Sequence, residues 1–178
     1  LEALGVRIEM TPEEMGDVLE EAGIVFMFAP LLHPAMRHVG PVRREIGLRS
    51  IFNMLGPLTN PAGARRQVVG VADPELLGLA VRGLAELGHL RALVVHGSPG
   101  MDEISPAGPT RVAELSSEGV TEYEISPRDF GLEEVALPDL LGGEPEDNAR
   151  IIRGVLDGTE GAPRTVVPTE SAVSSFFS

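Results

Sequence analysis

The chain holds no cysteine among its 178 residues, so neither a disulfide nor a thiolate nucleophile can enter its chemistry. It also has no lysine, and all 14 of its basic side chains are arginine. That excludes a lysine Schiff base and the lysine of a phosphate-binding P-loop. No stretch approaches the roughly 20 consecutive apolar residues that a membrane helix needs. A basic-then-apolar leader of the secretory kind is not seen either, so a cytoplasmic protein is expected. Positive charge is scarce overall: 14 basic against 27 acidic residues give a formal net charge of −13. A general nucleic-acid binder needs a broad cationic face, and this composition argues against one.

What is present suits one domain, or one domain with a small appendage, and 43% apolar residues are enough for a core. The charge is unevenly placed. Residues 1–24 carry seven carboxylates against Arg7 alone, whereas residues 37–66 carry six arginines against Glu45 alone. An acidic chain with one cationic stretch has the make-up of a receptor for a small anion. The competing reading is that these arginines are solvated or held in ion pairs.

Local patterns organise the chain into α/β structure. In "TPEEMGDVLEEAG", Thr11 can cap a helix that begins with Pro12 and stops at Gly23. "IVFMFAP" is a short apolar run closed by Pro30 and predicts a buried strand. Short helices broken at Gly40-Pro41 and Gly47 are expected over residues 33–55. "RQVVGVA" predicts a buried strand. "DPELLGLAVRGLAELG" predicts a helix with Asp73 as cap and Gly88 as stop, and "RALVVHG" a second strand. Strand, helix and strand in that order make a βαβ unit with parallel strands. "TRVAELS" and "VTEYEIS", separated by "SEG", predict a hairpin on the same sheet. A last helix over "PEDNARIIRGVLDG" places Ile151, Ile152 and Val155 on one face. With no internal repeat, the fold class is α/β with a mixed sheet.

Ligands of open α/β sheets gather beyond the carboxyl ends of parallel strands. The loop leaving "RALVVHG" is "SPGMDEIS", which puts Asp102 and Glu103 at such a position. Carboxylates there can hold Mg2+, a hard cation that takes oxygen ligands, keeps waters and commonly bridges to phosphate. Neighbouring side chains on an extended loop diverge, so one ion need not take both. The histidines match no zinc spacing, and His33, before Pro34, reads as structural on spacing alone. Residues 49–63, "RSIFNMLGPLTNPAG", are apolar but broken by Gly56-Pro57 and Asn60-Pro61. They read as a stiff, non-repetitive loop, either a binding wall or a connector plugging the core.

"PVRREIG", "FNMLGPLTNPA" and "VVHG…DEIS" together closely resemble the anthranilate phosphoribosyltransferase family, over most of the chain from "LEALGV" to "GGEPEDNARIIRGVLDG". The resemblance implies transfer of the phosphoribosyl group of 5-phosphoribosyl 1-diphosphate to anthranilate in tryptophan biosynthesis, with Mg2+ as cofactor. It implies a largely parallel, mixed sheet flanked by helices, of the nucleoside phosphorylase and phosphoribosyltransferase kind. Carried over by position, Arg43 matches the anthranilate-binding arginine. His33 matches a residue of the outer channel, Gly56 and Pro57 match the rigid loop beside the anthranilate pocket, and Asp102 and Glu103 match the magnesium ligands. No residue is assigned as a general base.

The opening "LEALGV" reads as the last turn of a helix, so more chain is expected upstream. The resemblance places there the family's small helical domain, through which it usually dimerises, and the Gly-rich diphosphate loop. After Arg164, "TVVPTESAVSSFFS" departs from the family's Ala/Leu-rich helix. Residues 1–164 are therefore assigned to the α/β portion and 165–178 to an atypical tail. On its own the chain would present half-sites. The alternatives are an inactive remnant or non-catalytic paralogue, and a pyrimidine nucleoside phosphorylase-like enzyme.

Overall fold

The computed structural model of the chain describes residues 1–32, Gly56 and residues 58–158. The chain divides into two compact units: residues 1–50 with 143–150, and residues 51–142 with 151–178. The short helices expected over 33–55 and the tail 165–178 lie outside the described residues. Among the described residues no helix is long and apolar enough to cross a membrane.

In the first unit, helix α1 spans Pro12–Ala22 and starts where the sequence places its cap. The Thr11 hydroxyl accepts from the Glu14 N–H at 3.3 Å, and the Glu14 carboxylate accepts from the Thr11 N–H at 2.8 Å. Two of the N–H groups left unpaired at a helix start are satisfied reciprocally in this way. Gly23, at φ 73°, ends the helix in the left-handed conformation.

The strand expected from "IVFMFAP" does not form. Residues 24–28 are irregular, a short helix α2 follows at Ala29–Leu32, and Ile24 is 76% exposed. A strand needs a neighbour to complete its ladder, and no described strand runs beside these residues. Their side chains instead pack locally, with the Phe26 and Phe28 rings stacked at 6.4 Å between centroids.

The second unit is built on a four-stranded sheet in the order β1 (Arg66–Gly70), β2 (Arg91–Gly97), β3 (Thr110–Ser116), β4 (Gly119–Ile125). β1 and β2 pair in parallel, Val69 opposite Val94, and the two later ladders are antiparallel. The sheet is mixed, and among the described strands only the β1–β2 ladder is parallel. The hairpin turn is tighter than "SEG" suggests: Ser116 pairs with Gly119, which already belongs to β4.

The parallel pair is joined as the pattern predicts, with one refinement. Asp73 Oδ1 accepts from the Glu75 N–H and caps a 3-10 turn at Pro74–Leu76, after which helix α3 runs over Leu77–Glu86. Leu77, Ala80, Val81 and Leu84 recur at helical spacing and are buried against Val69, Ala92, Val94, Ala113 and Leu115. The alternate residues of β2, Leu93 and Val95, face a second cluster with Ile104 and Val112. Burial on both faces explains why β2 reads as a continuous apolar run. Each fully buried leucine contributes about 1.5–3 kcal/mol. The exposed Arg111–Glu122 ion pair of this unit, 4.0 Å apart, is screened by water and adds little, so apolar packing holds the unit.

Helix α4 spans Pro145–Leu156. Asn148 secures its start by accepting from the Gly143 N–H and donating to the Gly143 carbonyl. Its buried residue is Ala149, while Ile151 and Ile152 remain 38% and 41% exposed. The apolar face read from the sequence is therefore only partly covered among the described residues.

Candidate active site

β1 ends at Gly70, opposite Val95, while β2 runs two residues further to Gly97, where the chain leaves into the loop 98–109. This loop is held at several points. The Gly97 N–H donates to the Met101 carbonyl at 2.8 Å, and the Met101 and Gly100 N–H groups donate back to the Gly97 carbonyl. Ser98 N–H donates to the Pro109 carbonyl, which ties the two ends of the loop together. Ile104 drops into the apolar cluster under the sheet.

Two buried hydroxyls complete the frame. Ser105 and Thr110 are each 1% exposed. The Ser105 N–H donates to Thr110 Oγ1 at 2.9 Å, and the Ser105 hydroxyl donates to the Ser98 carbonyl at 2.5 Å. The same hydroxyl accepts from the Ala107 N–H at 3.1 Å. Buried polar groups are costly unless paired, and these are paired into the loop they shape. The next strand residue inward, His96, is half-buried with Nδ1 2.9 Å from the Val71 carbonyl. That contact places the proton on Nδ1 and ties β2 to the segment following β1.

Between the anchored Met101 and the buried Ile104 stand Asp102 and Glu103, both exposed. The structure thus lifts this pair of carboxylates to the rim of the sheet, at the carboxyl ends of its two parallel strands. Among the described residues no group of three or more His, Cys, Asp or Glu is placed to hold a metal ion. The donors present suit Mg2+ all the same, because that ion is bound by one or two carboxylates and completes its shell with waters or phosphate oxygens. The backbone beneath them also fits, since glycines on both strands leave the space in which the Asp102 and Glu103 carbonyls lie.

The other sequence-derived residues divide differently. His33, Arg43 and Pro57 lie outside the described residues. Gly56 is exposed, and the Thr59 N–H and hydroxyl both donate to its carbonyl. Leu58, two residues on, packs against the α3 core cluster, so this part of the loop does act as a connector to the core. Asn60 Oδ1 accepts from the Ala62 N–H and closes the following turn. Of the six arginines in the cationic stretch, Arg65 is committed to structure, donating through Nε and a terminal nitrogen to the Gly88 carbonyl. It serves the end of α3 rather than a free anion. Sequence reasoning passed over Gly70, Ser105 and Thr110; a glycine closing an apolar strand was the one signal that could have pointed to a close backbone approach.

Comparison with known proteins bears out the resemblance carried by the motifs. The glycosyl transferase family, a/b domain, matches residues 1–176. An anthranilate phosphoribosyltransferase of Rubrobacter xylanophilus is 59% identical over 168 residues, covering 94% of this chain and 49% of the relative. The crystal structure of anthranilate phosphoribosyltransferase from Thermus thermophilus superposes with a TM-score of 0.85 at 48% identity, covering 93% of this chain and 49% of that one. The Saccharomyces cerevisiae enzyme in complex with PRPP and Mg superposes at 0.82 with 28% identity, over 94% of this chain and 47% of that one. The chain spans about half the length of the relatives it matches.

Proposed function

The chain belongs to the glycosyl transferase family, a/b domain, and from that membership we propose that it serves the transfer of a phosphoribosyl group from 5-phosphoribosyl 1-diphosphate to anthranilate. The observation that carries this reading is the Asp102–Glu103 pair standing exposed on a pinned loop at the ends of two parallel strands. Residues 1–164 form the working α/β portion in this reading, and 165–178 a tail.

Asp102 and Glu103 would hold Mg2+ with the diphosphate of the donor. Bound there, the ion supplies electrostatic stabilisation of the charge that grows on the departing diphosphate. Arg43 would capture the carboxylate of anthranilate, because the planar guanidinium fork matches a carboxylate as a point charge does not. Gly56 and Pro57, with His33 further out, would border the flat ring. A proline-stiffened wall loses little conformational freedom when the ring docks. The aromatic amine is already a usable nucleophile, so the residues contribute by holding it in line with the anomeric carbon rather than by removing a proton first.

Calorimetric titration tests the reading. Anthranilate should bind the 178-residue chain saturably and fail to bind Arg43→Ala. The donor should bind in a Mg2+-dependent manner that Asp102→Asn with Glu103→Gln removes. A chain that circular dichroism shows to be folded, yet binds neither compound, would overturn the proposal for this molecule.

A further inference from the structure

Gly70 and Gly97 occupy the last positions of β1 and β2, where glycine weakens a strand and offers no side chain to the core. Neither has the positive φ that would call for glycine, in contrast to Gly100 in the loop between β2 and β3, at 125°. Space accounts for them instead. A Cβ on Gly70 would collide with the backbone carbonyl of Asp102, closer than any non-bonded approach, and would stand 3.1 Å from the Asp102 α-carbon. A Cβ on Gly97 would stand 2.5 Å from the Glu103 carbonyl oxygen and 2.7 Å from the Ser105 Cβ. Two successive peptide groups of the loop therefore rest on glycines of two adjacent strands. In each case the obstructing atoms include backbone, which cannot swing aside as the end of a long side chain can. The residues resting there are the two carboxylates themselves.

We propose that Gly70 and Gly97 are positioning residues for the Asp102–Glu103 pair, their missing side chains setting how low the loop backbone lies and hence where the carboxylates stand. This rests on the reading of that pair as the holder of Mg2+. A methyl group at either glycine lifts the exposed apex of the loop, while the apolar core on the α3 side, which the loop does not enter, keeps the sheet folded. Groups that orient metal ligands typically change metal affinity by about 10- to 100-fold when altered.

The test uses the 178-residue chain and Mn2+ as a paramagnetic stand-in for Mg2+, followed by broadening of backbone amide resonances. In the unaltered chain, broadening should centre on residues 101–104 and disappear in Asp102→Asn with Glu103→Gln. Gly70→Ala should keep the sheet resonances and need about 10-fold more Mn2+ for the same broadening. Gly97→Ala, whose methyl meets its neighbours less severely, is the second variant with the same expectation. Gly83→Ala is the control: its methyl would meet only Leu58 side-chain carbons, at 3.6 and 3.8 Å, so the Mn2+ response should not move. No centred broadening in the unaltered chain would defeat the metal reading itself. Centred broadening that is unshifted in a folded glycine variant would overturn the positioning role while leaving the metal reading intact. Failure of both variants to fold would also overturn it, since the glycines would then serve the sheet rather than the loop.

Discussion

The phenol of Tyr123 donates to Oε2 of Glu114 at 2.9 Å, while the other oxygen of the same carboxylate accepts from Arg91 at 3.1 and 3.3 Å. One glutamate on β3 thereby ties together side chains of β2 and β4. Burial, reinforced by the Glu114 hydrogen bond and charge, pushes the Tyr123 phenol up to about 12. Because the folded value is raised, the tyrosine's contribution to stability is intact below the unfolded value of about 10 and is lost as pH rises through the folded one. Chemical denaturation should therefore show a loss of stability above about pH 10 that Tyr123→Phe reduces. Tyr123 is the chain's single tyrosine, so phenolate absorbance reports it directly. A midpoint at the free-tyrosine value would show that the contact does not persist in solution.

Ser105→Ala removes a hydroxyl that both donates to Ser98 and accepts from Ala107 within a buried frame. Two backbone groups lose their partner at once. Urea unfolding should show a loss of about 1–3 kcal/mol. No measurable loss would mean that water reaches the loop and replaces the hydroxyl.

At the start of α1, Thr11→Ala should cost about 1 kcal/mol through loss of the cap. The hydrogen bond from the Thr11 N–H, then that from Arg7, holds the Glu14 carboxyl below its ordinary value. With a depressed folded value, the Glu14 contribution is present above the unfolded value of about 4.3 and is lost as pH falls through the folded one. Thermal unfolding followed by circular dichroism should show a mild decline in that acidic range, weakened in Glu14→Gln. Equal pH profiles for the two proteins would mean that the capping box does not form.

Local chemistry made much of this molecule legible. Thr11, Pro12 and Gly23 delimit α1 because caps and stops act on their own neighbours in the chain. The βαβ segment was equally readable, since Leu77, Ala80, Val81 and Leu84 recur at the helical period between two continuous apolar runs. Asp102 and Glu103 could be placed at a strand end for the same reason. "IVFMF" misled because apolarity over a few residues states a need for burial without naming a partner.

By itself, then, the sequence determined the elements whose signals lie within one turn or one strand, the acidic pair's place after β2, and, through its motifs, the family. The tertiary structure decided that residues 24–28 are not a strand, that Arg65 belongs to the end of α3, and that Ser105 reaches Thr110. It also decided that Gly70 makes room for Asp102. The difference is physical. A cap or a periodic face is satisfied by residues a few positions away, whereas a ladder, a buried hydroxyl pair or a space left for a carbonyl depends on chain brought alongside only when the sheet has formed.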